Sequence, residues 1–196
     1  DGPLGELALP LFGEHMAHNA AVALCAAEAF LGGRPLPADV VAEGLEQVRA
    51  PARLEIVRRS PTIVLDTCHN PHGAQAAVAA LAEAFSFAPL IGVVAMMGDK
   101  DVAGVLRVLD QELTRIVVTG MRSSDRALSP QALAEQAVAE FGADRVSVAP
   151  DMEAAIDEAV RLADDAGPGA GILIAGSVYA AGEARSLLAR KDFSDE

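Results

Sequence analysis

The sequence predicts a doubly wound α/β domain: a mostly parallel, six-stranded sheet with one antiparallel edge strand, preceded by a short helical segment. Three observations carry this expectation. From residue 54 onward, short and almost continuously apolar runs alternate with helix-length segments, as in parallel strands buried on both faces and joined by right-handed crossovers. Hydrophobic residues make up 52% of the 196-residue chain, yet aromatics only 4% and Trp is absent, so closely packed Ala, Val, Leu and Ile must fill the core. Polar side chains gather directly after the apolar runs, where open parallel sheets bind ligands. The length suits one large domain, or a domain with an appendage.

Taken in order, residues 1–12 hold two prolines and two glycines and read as a connector. Residues 15–31 are dense in Ala and Leu, end at Gly32-Gly33, and read as a buried helix. Val40, Val41, Leu45 and Val48 fall at helical spacing and give a second helix over 37–48. Pro51 cannot extend it and pushes Ala50 toward extended geometry, which sets a boundary between residues 1–50 and 51–196. Beyond it the period changes. Residues 54–57 and 62–65, parted by Arg58-Arg59-Ser60-Pro61, read as a hairpin whose first strand is the antiparallel edge. Strands are expected at 63–66, 91–97, 115–119, 146–148 and 172–175, with helices at 74–85, 102–109, 130–141, 152–163 and 180–189. The polar end, residues 194–196, reads as a frayed tail.

Charge and composition exclude several classes of function. A net charge of -13 argues against a nucleic-acid partner, whose phosphates need clustered Lys and Arg. No apolar run approaches the ~20 residues that cross a bilayer, and no signal-peptide pattern opens the chain, so a cytoplasmic protein without a membrane partner is expected. Cys25 and Cys68 lie in no CxxC pair and are read as reduced thiols. Lysine is scarce: Lys100 and Lys191 are the only two among 15 cationic side chains.

The strand ends supply the chemistry. Residues 63–65 lead into Asp66-Thr67-Cys68-His69-Asn70-Pro71-His72, and residues 91–97 into Gly98-Asp99-Lys100-Asp101. Residues 115–119 lead into Gly120-Met121-Arg122-Ser123-Ser124, and residues 172–175 into Gly176-Ser177-Val178-Tyr179. All four clusters fall on one edge. Each also has a plain structural reading: Asn70 and Asp101 suit helix caps, and Gly176-Ser177 suits a strand-to-helix turn. His15-x-x-His18 and His69-x-x-His72 have metal-like spacing, but such pairs arise by chance, so no metal site is assigned. The chain contains no GxxxxGK[ST] phosphate loop and no GxGxxG after its first strand, so any nucleotide it handles is cradled by another segment.

Five motifs follow one another over nearly the whole chain: G-x-H-x-x-x-N-A-A from Gly13, R-L-E from Arg53, L-D-x-x-H-N-P from Leu65, M-x-D-K-D from Met97 and G-S-x-Y-x-x-G-E-x-R from Gly176. In this order they resemble the folylpolyglutamate synthase/dihydrofolate synthase branch of the Mur ligase superfamily. The resemblance implies the Rossmann-like Mur ligase C-terminal domain over 51–196, preceded by the end of an ATPase domain over 1–50. It also implies an ATP-dependent amide ligase that adds L-glutamate to dihydropteroate or folate through an acyl phosphate. On this resemblance Asn19 contacts adenine, Arg53 reaches the ATP phosphates, Asp66 holds the ribose hydroxyls and His69 lies near the phosphates. Arg53 and His69 are its catalytic candidates, and Lys100, Ser177 and Tyr179 line the substrate side. ATP and Mg²⁺ serve the full-length enzyme, with the Mg²⁺ ligands mainly in the N-terminal ATPase domain. That domain is the expected partner, the enzyme is expected to be a monomer, and this chain alone is expected to be inactive. Two departures stand out: Ala52 where many relatives have Gly, which stiffens the hinge, and Thr67-Cys68 where they carry Gly-Ala. Two alternatives stay open at this point. One is a stand-alone module that binds an acidic metabolite or nucleotide through Arg53, Lys100 and Arg122, and the other is a fragment of a cell-wall Mur ligase.

Overall fold

Strand β1 (Glu55–Arg59) runs antiparallel to β2 (Thr62–Leu65) and forms one edge of a six-stranded sheet. The other strands are β3 (Leu90–Val94), β4 (Arg115–Val118), β5 (Val146–Val148) and β6 (Gly171–Ala175), and the order is β1-β2-β6-β3-β4-β5. All pairings beyond β1·β2 are parallel, as expected of a doubly wound sheet. This computed structural model describes residues 7–192, with side chains to residue 190, so the tail at 194–196 and the first half of the connector lie outside the described residues.

Five helices wrap the sheet: α3 (Pro71–Ala84), α4 (Val102–Leu109) and α5 (Pro130–Phe141) on one face, α6 (Met152–Ala166) and α7 (Val178–Asp192) on the other. The strands alternate as a pleated sheet buried on both sides must. Val64, Val94, Val118 and Leu173 face α3–α5, whereas Ile63, Leu65, Val93, Val117 and Ile174 face α6 and α7. Small residues bring the layers close: Ala74, Ala77 and Ala80 on α3, Ala155, Ala159 and Ala163 on α6, and Ala180, Ala181 and Ala184 on α7 are all buried. This is the aliphatic, ring-poor core that the composition requires.

The caps follow local chemistry. Asn70 Oδ1 accepts from the Gly73 N–H at 2.8 Å, Asp101 Oδ1 from the Gly104 N–H at 2.9 Å, and Asp151 Oδ1 from the Ala154 N–H at 3.0 Å. Each satisfies an amide that the first helical turn leaves unpaired. Asn70 and Asp101 thus take the structural role open to them.

Two expectations are corrected. The third strand ends at Val94, not at residue 97, although residues 95–97 are fully apolar and buried. Here the chain leaves the ladder and is covered by 126–128: Met96 O accepts from the Leu128 N–H at 2.9 Å and Met97 bridges to Ala127. Apolar sequence signals burial there, not sheet. The first helix, α1 (Glu14–Phe30), forms but is not buried; Met16 is its one buried residue, and Val22 and Phe30 are 68% and 91% exposed. Its Ala-rich sequence has no matching cover among the described residues. A second helix, α2 (Ala38–Glu46), buries only Val41.

Between α2 and β1 the backbone takes an unusual path. Ala52 and Leu54 have φ of 55° and 47°, the left-handed region that costs a non-glycine residue about 1–2 kcal/mol. Three acceptors hold it there. The Ala52 N–H donates to Glu55 Oε2 at 2.8 Å, the Arg53 N–H to the Ala50 carbonyl at 3.2 Å and the Leu54 N–H to Asp66 Oδ2 at 3.1 Å. Arg53 thus projects from a bend with its own amide and both neighbouring amides bonded.

Candidate functional site

The connections leaving β2 and β6 pass to opposite faces of the sheet, which opens a crevice at their carboxyl ends. A cleft of ≈ 290 Å³ lies there, between the start of α1 and the loop from Asp66 to Gly73. Asn19, Arg53, Asp66 and His69, the four residues assigned to ATP by resemblance, all line it. They come from α1, the bend before β1, the end of β2 and the entry to α3, so only the fold brings them together.

Asp66 is the buried centre of this cleft, 5% exposed. Its Oδ1 accepts from the Cys68 N–H at 2.7 Å and its Oδ2 from the Leu54 N–H. Burial pushes its carboxyl above the ordinary carboxylate range, although both amides and the Arg53 guanidinium act in the opposite sense. The carboxylate therefore ties the bend before β1 to the end of β2, a role that nothing in its motif announces. Cys68 is buried beside it, and burial and the Asp66 carboxylate raise its thiol pKa far above the usual value. Such a thiol is not a nucleophile.

His69 is half-buried, and its Nδ1 lies 3.0 Å from the Thr67 carbonyl. With Nδ1–H donating, Nε2 is the ring edge left for a ligand. The ring stands at the N-terminus of α3, where backbone dipoles favour anions. Thr67 also lines the cleft, and its buried hydroxyl has no protein partner. His15 and His72, members of the two spaced pairs to which the sequence assigns no site, both line the cleft beside His69. Even so, among the described residues no three His, Cys, Asp or Glu side chains are grouped to hold a metal ion.

The substrate-side candidates lie elsewhere. Ser177 is buried and its Oγ accepts from the Tyr179 N–H at 3.1 Å, which caps α7. Gly176 before it has φ 106°, and a Cβ there would stand 2.6 Å from the Ala95 carbonyl oxygen, so the turn requires glycine. Tyr179 is 45% exposed and lines a separate, larger cavity of ≈ 610 Å³ with Arg122, Glu183 and Arg190. Glu183 holds the loop after β4 against α7 by accepting from the Arg122 N–H and Ser123 Oγ. Lys100 lies 3.9 Å from Asp99, which also pairs with Arg126, on an exposed turn. The structure does not bring Lys100, Ser177 or Tyr179 to the cleft that Asp66 lines.

Comparison with known proteins follows this geometry. The family model for "Mur ligase, glutamate ligase domain" matches residues 52–178. A dihydrofolate synthase/folylpolyglutamate synthase of Mycobacterium tuberculosis is 44% identical over 96% of this chain and 41% of its own length. A solved structure of M. tuberculosis folylpolyglutamate synthase complexed with ADP superposes with a TM-score of 0.89 at 44% identity, covering 94% of this chain and 42% of that one. A bifunctional folylpolyglutamate synthase/dihydrofolate synthase of Yersinia pestis, complexed with AMPPNP and Mn ion, gives a TM-score of 0.76 at 26% identity over 95% of this chain and 42% of that one. The chain thus spans less than half the length of these relatives. Fold, motifs and comparisons agree: this chain belongs to the Mur ligase family, as a glutamate ligase domain of the folylpolyglutamate synthase/dihydrofolate synthase type.

Proposed function

We propose that this chain is the C-terminal part of an ATP-dependent ligase that joins L-glutamate to dihydropteroate or to a folate. In that reaction the γ-phosphoryl group passes to a substrate carboxylate, giving an acyl phosphate and ADP. The glutamate amine then attacks the acyl carbon, the C–O bond to phosphate breaks, and an amide and inorganic phosphate remain. The observation that carries the reading is the cleft itself, where Asn19, Arg53, Asp66 and His69 converge from four segments at the sheet's carboxyl edge.

The chemistry of each group fits its place. Asn19 presents an amide, able to donate and accept, as an adenine edge requires. Asp66 keeps lone pairs for a ribose diol beyond the two it gives to backbone amides. Arg53 offers charge to a transferring phosphoryl group, and His69 Nε2 stands at the anion-favouring end of α3. In this reading Mg²⁺ would supply charge neutralisation at the phosphates, held by ligands of a preceding ATPase domain that also carries the phosphate loop. The exposed apolar surface of α1, including Val22 and Phe30, with Leu31 just beyond it, supports such a domain, because a helix apolar on most sides needs cover. Residues 1–50 are then the end of that ATPase domain. The isolated chain is then inactive, since its sequence holds no phosphate loop and its described residues group no metal ligands. The folylpolyglutamate and dihydrofolate synthases among the relatives favour a folate substrate over a cell-wall one, and the relative complexed with ADP favours ATP.

The test is Arg53→Ala in the full-length protein. If Arg53 stabilises charge only in the transition state, kcat falls roughly 10²-fold while KM for ATP changes far less. An unchanged kcat overturns that role.

A further inference from the structure

Arg185 lies on α7, 130 residues beyond Glu55, and its Nη1 donates to Glu55 Oε2 at 2.7 Å. The same oxygen accepts from the Ala52 N–H, the first of the three amides that fix the bend carrying Arg53. The other two acceptors are rigid by construction. Ala50 O is backbone, and Asp66 is buried at the end of β2, whose strand hydrogen bonds hold it in place. Glu55 differs, because its side chain is 26% exposed and reaches Ala52 through three rotatable bonds. Without a second partner it would spend part of its time in solvent, and Ala52, held at φ 55° against its preference, would lose its anchor. Arg185 supplies that partner.

We infer that Arg185 is a positioning residue for Arg53: through Glu55 it holds the Ala52–Leu54 bend and so aims the Arg53 guanidinium into the cleft. This rests on the reading that Arg53 acts on the phosphates. The pair is too solvent-exposed to matter much for stability, with the Arg185 side chain 48% exposed. Its effect belongs in orientation, where a displacement of about 1 Å can cost far more rate than binding. The geometry also links R-L-E and G-E-x-R in this sequence physically: the Glu of the first motif meets the Arg of the last.

The experiment is a kinetic cycle in the full-length protein with Arg185→Ala, Arg185→Lys, Glu55→Gln, Arg53→Ala and the Arg53→Ala/Arg185→Ala pair. Arg185→Ala and Glu55→Gln are each expected to lower kcat roughly 10-fold, with KM for ATP within about twofold. Arg185→Lys, which keeps the charge, should recover most of the loss. The double variant should match Arg53→Ala alone, because a residue that acts through Arg53 has nothing to add once Arg53 is gone. Faster hydrogen exchange at the Ala52 amide in Arg185→Ala reports the loosened bend directly. A harmful Arg53→Ala beside an Arg185→Ala that is inert, or that multiplies with it, overturns this inference alone. An inert Arg53→Ala overturns it together with the proposed role of Arg53. A protected Ala52 amide in Arg185→Ala likewise refutes the clamp.

Discussion

Replacing Asp66 with Ala tests whether the cleft and the bend before β1 share one anchor. The substitution removes a carboxylate that accepts from the Cys68 N–H at 2.7 Å and from the Leu54 N–H at 3.1 Å, both in buried surroundings. A buried amide left without a partner costs about 1–3 kcal/mol, so two cost about 2–6 kcal/mol. Removing a carboxyl whose ionisation burial opposes returns part of this, which leaves a net loss of about 2–4 kcal/mol. Because the folded pKa is raised above the unfolded value near 3.9, the ionisable group contributes most below about pH 4. That contribution is lost as pH rises through the folded value. The gap between parent and Asp66→Ala should therefore be larger at pH 4 than at pH 7. Urea unfolding of the full-length protein at both pH values, compared at equal m, measures it. A loss below about 1 kcal/mol, or a gap that widens with pH, would refute the anchoring argument.

Other expectations follow from single residues. Gly176→Ala places a Cβ 2.6 Å from the Ala95 carbonyl oxygen at φ 106°, where neither backbone can yield, and should cost about 2–4 kcal/mol in a thermal melt. Ala52→Gly relieves left-handed strain but adds unfolded-state freedom of about 0.4–1 kcal/mol, so it should leave stability nearly unchanged, whereas β-branched Ala52→Val should lower the melting temperature clearly. Cys68, buried and with its thiol pKa raised, should resist iodoacetamide at pH 8 until the protein is denatured, as peptide mass mapping would show.

Sheet and helices were legible because apolar runs and caps are local signals. Val102–Leu109 and Pro130–Phe141 fall where their spacing, caps and flanking prolines put them. What the sequence misplaced was burial by something other than the expected partner. Residues 95–97 are apolar because 126–128 cover them, and α1 is apolar without cover among the described residues. The four residues assigned to ATP by resemblance do share one cleft, yet composition and spacing alone would not have joined Asn19 to Asp66 across the chain. Less legible still were the individual side-chain contacts that fix the backbone. Asp66 holds Leu54, Ser177 caps α7, and Arg185 reaches Glu55, and none of these partners is close enough in sequence or regular enough in period to announce itself, save the cap. The left-handed φ of Ala52 has no local signal in composition or period; only the glycine that the family resemblance implies at this position hints at it.

The most direct test of the proposed activity is incorporation of labelled L-glutamate into dihydropteroate and reduced folates by the full-length protein with ATP and Mg²⁺. The expected result is an amide product formed with one ADP and one inorganic phosphate per bond, and none from residues 1–196 alone. Absence of product with every pterin carboxylate offered, or turnover by residues 1–196 alone, would contradict the account.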